Sequence, residues 1–264
     1  MTVPNEPLVL RDDDAAVARL TLNRPRAFNS LSRELLVELD RQLDAIAADP
    51  AVGVVVVTGN GPAFSAGHDL KEIGRERNAR DLETLFGLCS SVMTKLTRLP
   101  QPVIARIDGI ATAAGCQLVA ACDLAVASDT SRFATSGIRY GLFCATPMVA
   151  LRRVVPQKAA LEMLLTGDFI DAAEALRLGL VNRVVPAAGL DAAVSELARR
   201  ILAQPRAVVA LGKRAFHEQA GLPLTEAYDR ATATIVRNAL MPEFAEGLQA
   251  FSEKRQPVWP DRAR

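Results

Sequence analysis

The chain has 264 residues, enough for one sizeable domain with or without a small appendage, and too few for two large domains. Half of the residues are hydrophobic and 31 Lys and Arg nearly balance 30 Asp and Glu, which excludes a disordered, collagen-like or coiled-coil chain. A net charge of +1 provides no general attraction to nucleic acid or anionic lipid, so an anionic ligand has to be held by a local site.

In chain order, the first part of the sequence predicts strands that alternate with helices. Residues 16–22 alternate in polarity as a strand does and stop before Pro25. A helix capped by Ser32 then carries apolar residues at helical spacing as far as Pro50. Residues 52–58 are β-branched and apolar on both faces, which is typical of a strand covered on each side.

The same alternation continues along the chain. A helix with apolar positions between 82 and 96 is closed by Pro100, and a buried strand follows over 102–107. Small residues over 111–121 predict a closely packed helix, and a strand returns at 123–127. This order of elements indicates an α/β domain with parallel pairing.

Beyond Pro156 the pattern becomes almost wholly helical. One helix is expected to end at Gly167, and another to begin at the capping box of Asp171 and Glu174 and to end at Gly179. Four more helices are expected near residues 189–203, 206–219, 225–240 and 243–254. The sequence therefore predicts an α/β part followed by a helical part, and no internal repeat is strong enough to be recognised.

Several classes of protein are disfavoured by the amino-terminal residues, the apolar runs and the cysteines. Residues 1–14 contain three consecutive acids and no apolar stretch of signal-peptide length, so we expect a cytoplasmic protein. The apolar run over 51–57 is strand-sized, so no membrane span is expected. Four cysteines without a C-x-x-C pair predict neither a disulfide framework nor a zinc site, and we expect them to be reduced and mostly buried.

The sequence has only two histidines, His68 and His217. A zinc site of several imidazoles is therefore impossible, and with no H-E-x-x-H motif we predict no metal. A serine hydrolase of the G-x-S-x-G type and a Rossmann dehydrogenase with G-x-G-x-x-G are also disfavoured, because neither motif occurs.

Two short loops of small residues, 64–70 and 110–116, follow buried strands. Where the residues are only Ala and Gly, a ligand can approach main-chain N–H groups directly. An N–H at the start of a helix binds negative charge more strongly because of the helix dipole. Two such donors would form an oxyanion hole. The alternative is that the small residues only allow a helix to pack closely on a sheet.

Four longer segments carry a resemblance to a known family. They are LNRPRAFNSLS (22–32), VVVVTGNGPAFSAGHDLKE (54–72), PVIARIDGIATAAGCQLVAACDLAVAS (102–128) and LLTGDFIDAAEALRLGLVNRVVP (164–186). Together and in this order they resemble the crotonase, or enoyl-CoA hydratase/isomerase, superfamily over most of the chain. GLFCATP (141–147) and KRQPVW (254–259) most resemble its branch called enoyl-CoA hydratase domain-containing protein 3.

The resemblance implies a fold and a ligand. The expected fold is an α/β spiral of repeated ββα units over residues 1–190, followed by a helical carboxyl-terminal region over 191–264 that packs subunits into a homotrimer or a dimer of trimers. The expected substrate is an acyl-CoA thioester of fatty-acyl metabolism. Coenzyme A enters as part of that substrate, and neither a separate cofactor nor a nucleic acid partner is expected.

The resemblance also assigns site residues. By position in the family motifs, the backbone N–H groups of Ala66 and Ala114 are expected to hold the thioester carbonyl. Residues expected to contact the substrate or its coenzyme A are Arg24, Ala66, Gly67, His68, Asp69, Ala114, Cys144, Phe251 and Lys254, with the last two reaching into a neighbouring subunit. For Arg24 and Lys254, a solvated surface charge is the alternative.

Both glutamates that hydratases of this family use are replaced here. Gln117 stands at the first position, in GCQL where hydratases have GCEL, and Gly137 stands at the second. An amide can orient water but does not titrate near neutral pH, and glycine does neither. General acid and base catalysis each contribute about 10²- to 10⁴-fold, so we expect ordinary hydration to be weak or absent.

His68 and Cys144 remain as candidates for chemistry. His68 could act as a base or hydrogen-bond a substrate, or it could make a structural hydrogen bond. Cys144 could be a nucleophile or an inert buried side chain. The sequence thus predicts an enoyl-CoA hydratase-like lyase whose actual reaction is open. The alternative is a non-catalytic acyl-CoA binding or regulatory module.

Overall fold

The computed structural model describes residues 6–75 and 78–260, and its strands form two sheets. The larger sheet has the order β1-β2-β3-β5-β7-β10, formed by Val9–Asp14, Val17–Leu22, Val54–Gly59, Val103–Ile107, Leu124–Ser128 and Arg183–Val185. The smaller sheet has the order β4-β6-β8-β9, formed by Ala63–Ser65, Ile110–Thr112, Arg132–Ala134 and Ile170–Asp171. In the described parts of the chain, the neighbouring strands are parallel except for β1 with β2 and β8 with β9.

Three successive parts of the chain share one plan: a strand in the larger sheet, a strand in the smaller sheet, then helix. β3 and β4 lead into α2 (Leu70–Arg75) and α3 (Ala79–Arg98), and β5 and β6 lead into α4 (Ala114–Ala121). β7 and β8 lead into α5 (Ala145–Val154), after a short 3-10 turn. This arrangement confirms the predicted α/β crotonase-like fold of repeated ββα units.

The first helix, α1 (Arg33–Ala47), forms where the sequence predicts it. The Ser32 Oγ accepts a hydrogen bond from the Leu35 N–H at 3.3 Å, which satisfies one of the free donors at the helix start. The apolar stripe lies fully buried against the larger sheet and α3 through Leu35, Leu36, Leu39, Leu43 and Ile46.

Some short strands differ from the prediction. Residues 111 and 112, predicted as the beginning of a helix, lie instead in β6 (Ile110–Thr112), because the backbone of this strand pairs with both β4 and β8. β10 lies in the part predicted as almost wholly helical and pairs with β7, and β1 was not predicted. Strands of two to six residues depend on the neighbour that pairs with them more than on their own sequence.

The remaining helices follow the predicted limits closely. They are α6 (Gln157–Thr166), α7 (Ala172–Arg177), α8 (Leu190–Leu202), α9 (Arg206–Gln219), α10 (Leu224–Ala239) and α11 (Pro242–Glu253). α6 ends at Gly167, whose φ of 66° is left-handed, and Asp171 caps α7 by accepting from the Glu174 N–H. The boundary at residue 190 stays a prediction, although α8 packs on β3, β5 and β7 of the larger sheet.

α9 is held to the spiral by a largely buried ion pair. The Lys213 Nζ lies 2.6 Å from the Asp123 Oδ2 and also donates to the carbonyls of Leu96 and Gln101. No residue of α9 or α10 is fully buried within this chain.

The four cysteines are free and buried, as predicted. None of the described helices is both long and apolar enough to cross a bilayer.

Candidate functional site

A cavity of about 190 Å³ opens where the three ββα units meet. Its walls come from the loop after β4, from α3, from the start of α4 and from the segment between β8 and α5. Five residues that the sequence predicts for the site line it together: Ala66, His68, Ala114, Gly137 and Cys144. The cavity is thus built from small residues of separate loops that only the fold brings together.

The loop after β4 is held by the segment before α1. The Asn29 side-chain amide donates to the carbonyls of Asn60 and Ala63, at 2.9 and 2.7 Å. The Ser65 Oγ donates to the Asn29 carbonyl at 2.9 Å, and the Gly67 carbonyl accepts from the Leu31 N–H at 2.7 Å. The NSL residues of the first family-like motif therefore fix the position of this loop.

These bonds decide which backbone donor is free. The Ala66 N–H donates to the Phe28 carbonyl at 2.9 Å, so it is already occupied. The prediction that Ala66 supplies a donor is therefore wrong, because the loop is anchored through that same amide. Within residues 6–75 and 78–260, the backbone N–H of His68 meets no acceptor.

The second loop presents a free donor at the start of α4. Ala113 has φ 51° and ψ −120°, a conformation that residues with a side chain rarely adopt, and it turns the chain sharply into the helix. Ala114 is the first residue of α4, so its N–H has no acceptor inside the helix. A Cβ on Gly67 would lie 2.9 Å from the Ala114 nitrogen, which shows how closely the two loops approach.

Gln117 and Gly137, which the resemblance places at the glutamate positions of hydratases, have different surroundings. Gln117 lies one turn after Ala114 on the same face of α4 and is 4% exposed, and its Oε1 has no partner in the described residues. A Cβ on Gly137 would overlap the Leu142 carbonyl oxygen and lie 2.9 Å from the Cys144 Sγ. Position 137 therefore admits no larger side chain unless the segment 141–144 moves.

The His68 side chain packs edge-on to Phe86, with ring centroids 5.1 Å apart. Both ring nitrogens are buried, and neither makes a hydrogen bond of ordinary geometry in the described structure. Burial lowers the pKa of His68 to about 4, and a weaker opposing contribution from the Leu31 backbone does not restore it. The imidazole is therefore neutral at neutral pH.

The thiol of Cys144 is also uncharged at neutral pH. Burial raises its pKa, and a hydrogen bond with the Gly137 backbone opposes this only in part. Because the thiolate is the reactive form, a nucleophilic role for Cys144 gains no support from its surroundings.

Arg24 and Asp69 are not among the residues that line the cavity. The Arg24 guanidinium lies 3.1 Å from an Asp69 carboxylate oxygen and also donates to the Ser30 carbonyl. Burial alone would raise the pKa of Asp69, but the bonds from Arg24 and from the Lys71 and Glu72 backbone outweigh it and lower the pKa. In this chain the pair links the segment before α1 to the loop after β4.

Phe251 and Lys254 lie near the end of α11, also outside the lining of the cavity. The Phe251 side chain is 82% exposed. Their predicted contact with the coenzyme A of another subunit stays a prediction.

Sequence reasoning missed most of the apolar wall. The segment between β8 and α5 contributes Tyr140, Leu142 and Phe143, and the Thr112 and Ser136 hydroxyls pair at 2.7 Å beside the lining. The signal available was the GLF of GLFCATP, which we used only as a mark of family resemblance.

Comparison with known proteins tests the resemblance directly. The family described as enoyl-CoA hydratase/isomerase matches residues 12–262. The chain is 45% identical over 253 residues to enoyl-CoA hydratase domain-containing protein 3, mitochondrial, from Xenopus laevis, covering 96% of this chain and 86% of the relative.

Solved structures agree with this result. A Mycobacterium smegmatis enoyl-CoA hydratase is 52% identical with a TM-score of 0.94, over 96% of this chain and 99% of that one. Human enoyl-CoA hydratase domain-containing protein 3 is 44% identical with a TM-score of 0.89, over 96% and 100%.

The predicted cytoplasmic location is contradicted by these relatives. The Xenopus laevis relative is named as mitochondrial, and so are those from Rattus norvegicus and Homo sapiens. The prediction rested on the composition of residues 1–14, and such a segment does not by itself decide a compartment.

A match over nearly the whole length, with high identity and the same three-dimensional arrangement, leaves one assignment: the chain belongs to the enoyl-CoA hydratase/isomerase family and has the crotonase fold.

Proposed function

We propose that this chain binds an acyl-CoA thioester in the cavity, with the thioester carbonyl at the backbone N–H groups of His68 and Ala114. The observation that carries the proposal is the pair of unbonded amides on two closely approaching loops that line one cavity. Fixed donors aimed at a carbonyl oxygen stabilise the negative charge that develops on it, because they need no reorganisation during reaction.

We further propose that ordinary enoyl-CoA hydration is weak or absent. The described residues that line the cavity include no carboxylate, and the resemblance places Gln117 and Gly137 where hydratases carry glutamates. The neutral His68 is a weak base with a pKa near 4, so it is a poor substitute for a group poised near neutral pH. The proposed role is that of a hydratase-like protein of altered reaction in fatty-acyl-CoA metabolism.

A turnover assay with crotonyl-CoA tests this proposal. We expect the absorbance of the conjugated thioester to fall at least about 100-fold more slowly than with a hydratase that has both glutamates, because each lost acid or base costs about 10²- to 10⁴-fold. Calorimetric titration with the non-hydratable butanoyl-CoA should still show binding. Efficient hydration of crotonyl-CoA would contradict the proposed loss, and failure of any acyl-CoA to bind would contradict the site.

A non-catalytic acyl-CoA binding module is the second candidate. It is favoured by the two uncharged groups at the cavity, the imidazole of His68 and the thiol of Cys144. The variants His68→Phe and Cys144→Ala keep both backbone amides. If a panel of thioesters binds to the variants and neither substitution changes the turnover of any of them, the binding function is favoured.

We also propose that the chain forms a homo-oligomer, a trimer or a dimer of trimers, through its carboxyl-terminal helices. Large apolar side chains are exposed on α9, α10 and α11, including Phe216, Leu224, Tyr228, Ile235, Leu248 and Phe251. Apolar surface of this extent is usually covered by a protein partner. In such an assembly, Phe251 and Lys254 would reach the substrate of the neighbouring subunit, and Arg24 would lie near the coenzyme A phosphates.

A further inference from the structure

We infer that the acyl group this site selects is an uncharged hydrocarbon chain well beyond four carbons, whose tail lies along Tyr140, Leu142 and Phe143. The inference rests on the proposed function, since it concerns the thioester held at the His68 and Ala114 amides. It adds the class of acyl chain and the residues that select it.

The first step is the charge of the lining. The fifteen described residues that line the cavity include no Asp, Glu, Lys or Arg, and the pKa of His68 near 4 leaves its imidazole neutral. An acyl group with a carboxylate or an ammonium would be buried here without a partner, which is strongly unfavourable. The acyl group is therefore uncharged.

The second step is the gradient along the cavity. Its inner part carries the polar groups, namely the free amides of His68 and Ala114 and the Ser136 hydroxyl. Its rim is formed by large apolar side chains that remain open to solvent: Leu70, Tyr140, Leu142 and Phe143 are all exposed although they line the same cavity. A short acyl group bound at the amides leaves this rim uncovered, whereas a longer chain continues onto it.

The third step is the energetic consequence. Each CH₂ that is removed from water onto an apolar surface tightens binding by about four-fold. A chain that covers the rim therefore gains affinity with length, whereas a site closed after a short acyl group would show no gain. Exposed apolar residues that continue a ligand cavity are a common feature of ligand grooves.

The test measures dissociation constants for butanoyl-, hexanoyl- and decanoyl-CoA by calorimetry on the full chain. The additional CH₂ groups of decanoyl-CoA are expected to be partly buried at the open rim. We therefore expect decanoyl-CoA to bind at least about 100-fold more tightly than butanoyl-CoA. Equal affinity, or tighter binding of butanoyl-CoA, would overturn the inference.

A double variant, Tyr140→Ser with Leu142→Ser, assigns the gain to the rim. We expect it to weaken decanoyl-CoA binding by about ten-fold or more and to change butanoyl-CoA binding less than two-fold. The matched control is Leu176→Ser on α7, because Leu142 and Leu176 have 41% and 42% of their surface exposed and only Leu142 lines the cavity. A double variant with unchanged chain-length dependence would show that the tail lies elsewhere.

The two proposals fail in distinguishable ways. If no acyl-CoA of any length binds, the proposed function itself is wrong and the inference falls with it. If all lengths bind equally, the thioester site stands and only the long-chain assignment is wrong. Circular dichroism of each variant separates a local loss of contact from a failure to fold.

Discussion

Helices of the spiral and helices of the carboxyl-terminal region share an amphipathic pattern but have opposite surroundings. α1 and α10 are both amphipathic and of nearly equal length, 15 and 16 residues. α1 buries its whole apolar stripe, whereas α10 buries no residue and leaves Leu224, Tyr228 and Ile235 open to solvent. A periodic apolar face shows that a helix needs a cover, and it does not show whether the cover belongs to the same chain.

The helices of the two regions are also attached to the rest of the chain in different ways. The spiral is held by a continuous apolar core that includes α1, α3 and α4. α9 is attached in part by polar contacts, chiefly Lys213 with Asp123 and the carbonyls of Leu96 and Gln101. Polar attachment of this kind is more sensitive to the loss of a single group than a core of many apolar contacts.

The largest expected effect therefore comes from the Lys213→Met substitution. It removes the cation from a largely buried pair and leaves the Asp123 carboxylate without its main charged partner, so we expect the free energy of unfolding to fall by about 3–5 kcal/mol. Urea unfolding, monitored by circular dichroism, measures this change in the free energy of unfolding. Lys158→Met on the exposed face of α6 serves as control and should stay within about 0.5 kcal/mol. A loss below about 1 kcal/mol would show that α9 is held by its apolar contacts instead.

A pair of leucine substitutions tests the two regions directly. Leu39→Ala in α1 empties a fully buried site and should lower the free energy of unfolding by about 2–5 kcal/mol at every protein concentration. Leu240, which follows α10, is 82% exposed within the chain. If another copy covers Leu240 in the proposed oligomer, Leu240→Ala should lower stability only at concentrations where that oligomer is populated. If both variants lost the same stability at every protein concentration, the proposed difference between a face buried within the chain and a face buried by another copy would be wrong.

The smallest effect is expected on acidification of the spiral. The folded pKa of His68 is about 4 against an ordinary value near 6.5, so between these values the unfolded chain binds more protons than the folded one. The resulting stability is fully present above pH 6.5 and is lost as the pH falls towards 4. Between pH 7 and 4.5 we expect a loss of about 2 kcal/mol from this group.

Urea unfolding of the wild type and of His68→Phe at both pH values isolates that contribution. The Phe variant keeps a ring against Phe86 but cannot take up a proton, so it should lose less stability on acidification. If the two proteins lose stability in parallel, the imidazole is solvated in the native state and the proposed neutral pocket is wrong.

Much of the fold could be predicted because long elements carry their own signals. The Ser32 cap and the apolar stripe of α1, the Gly167 end of α6 and the Asp171 cap of α7 lie where the sequence places them. The short strands β6 and β10 could not be predicted, since three residues contain too little pattern and their pairing partners are distant in sequence.

For the candidate site, the sequence by itself determined the two loops of small residues and the family to which the chain belongs. The replacement of both family glutamates stays a prediction from the resemblance. Only the tertiary structure decided which amides are free. The Ala66 amide donates to the Phe28 carbonyl, and the His68 amide meets no acceptor among the described residues.

The tertiary structure also decided what a glutamate at position 137 would meet and which apolar residues form the rim. The Leu142 carbonyl and the Cys144 thiol approach Gly137 because the chain folds back after β8. The physical reason is common to these cases: a residue type is a local property, whereas the availability of a hydrogen-bond donor or of space depends on neighbours that the fold brings from elsewhere in the chain.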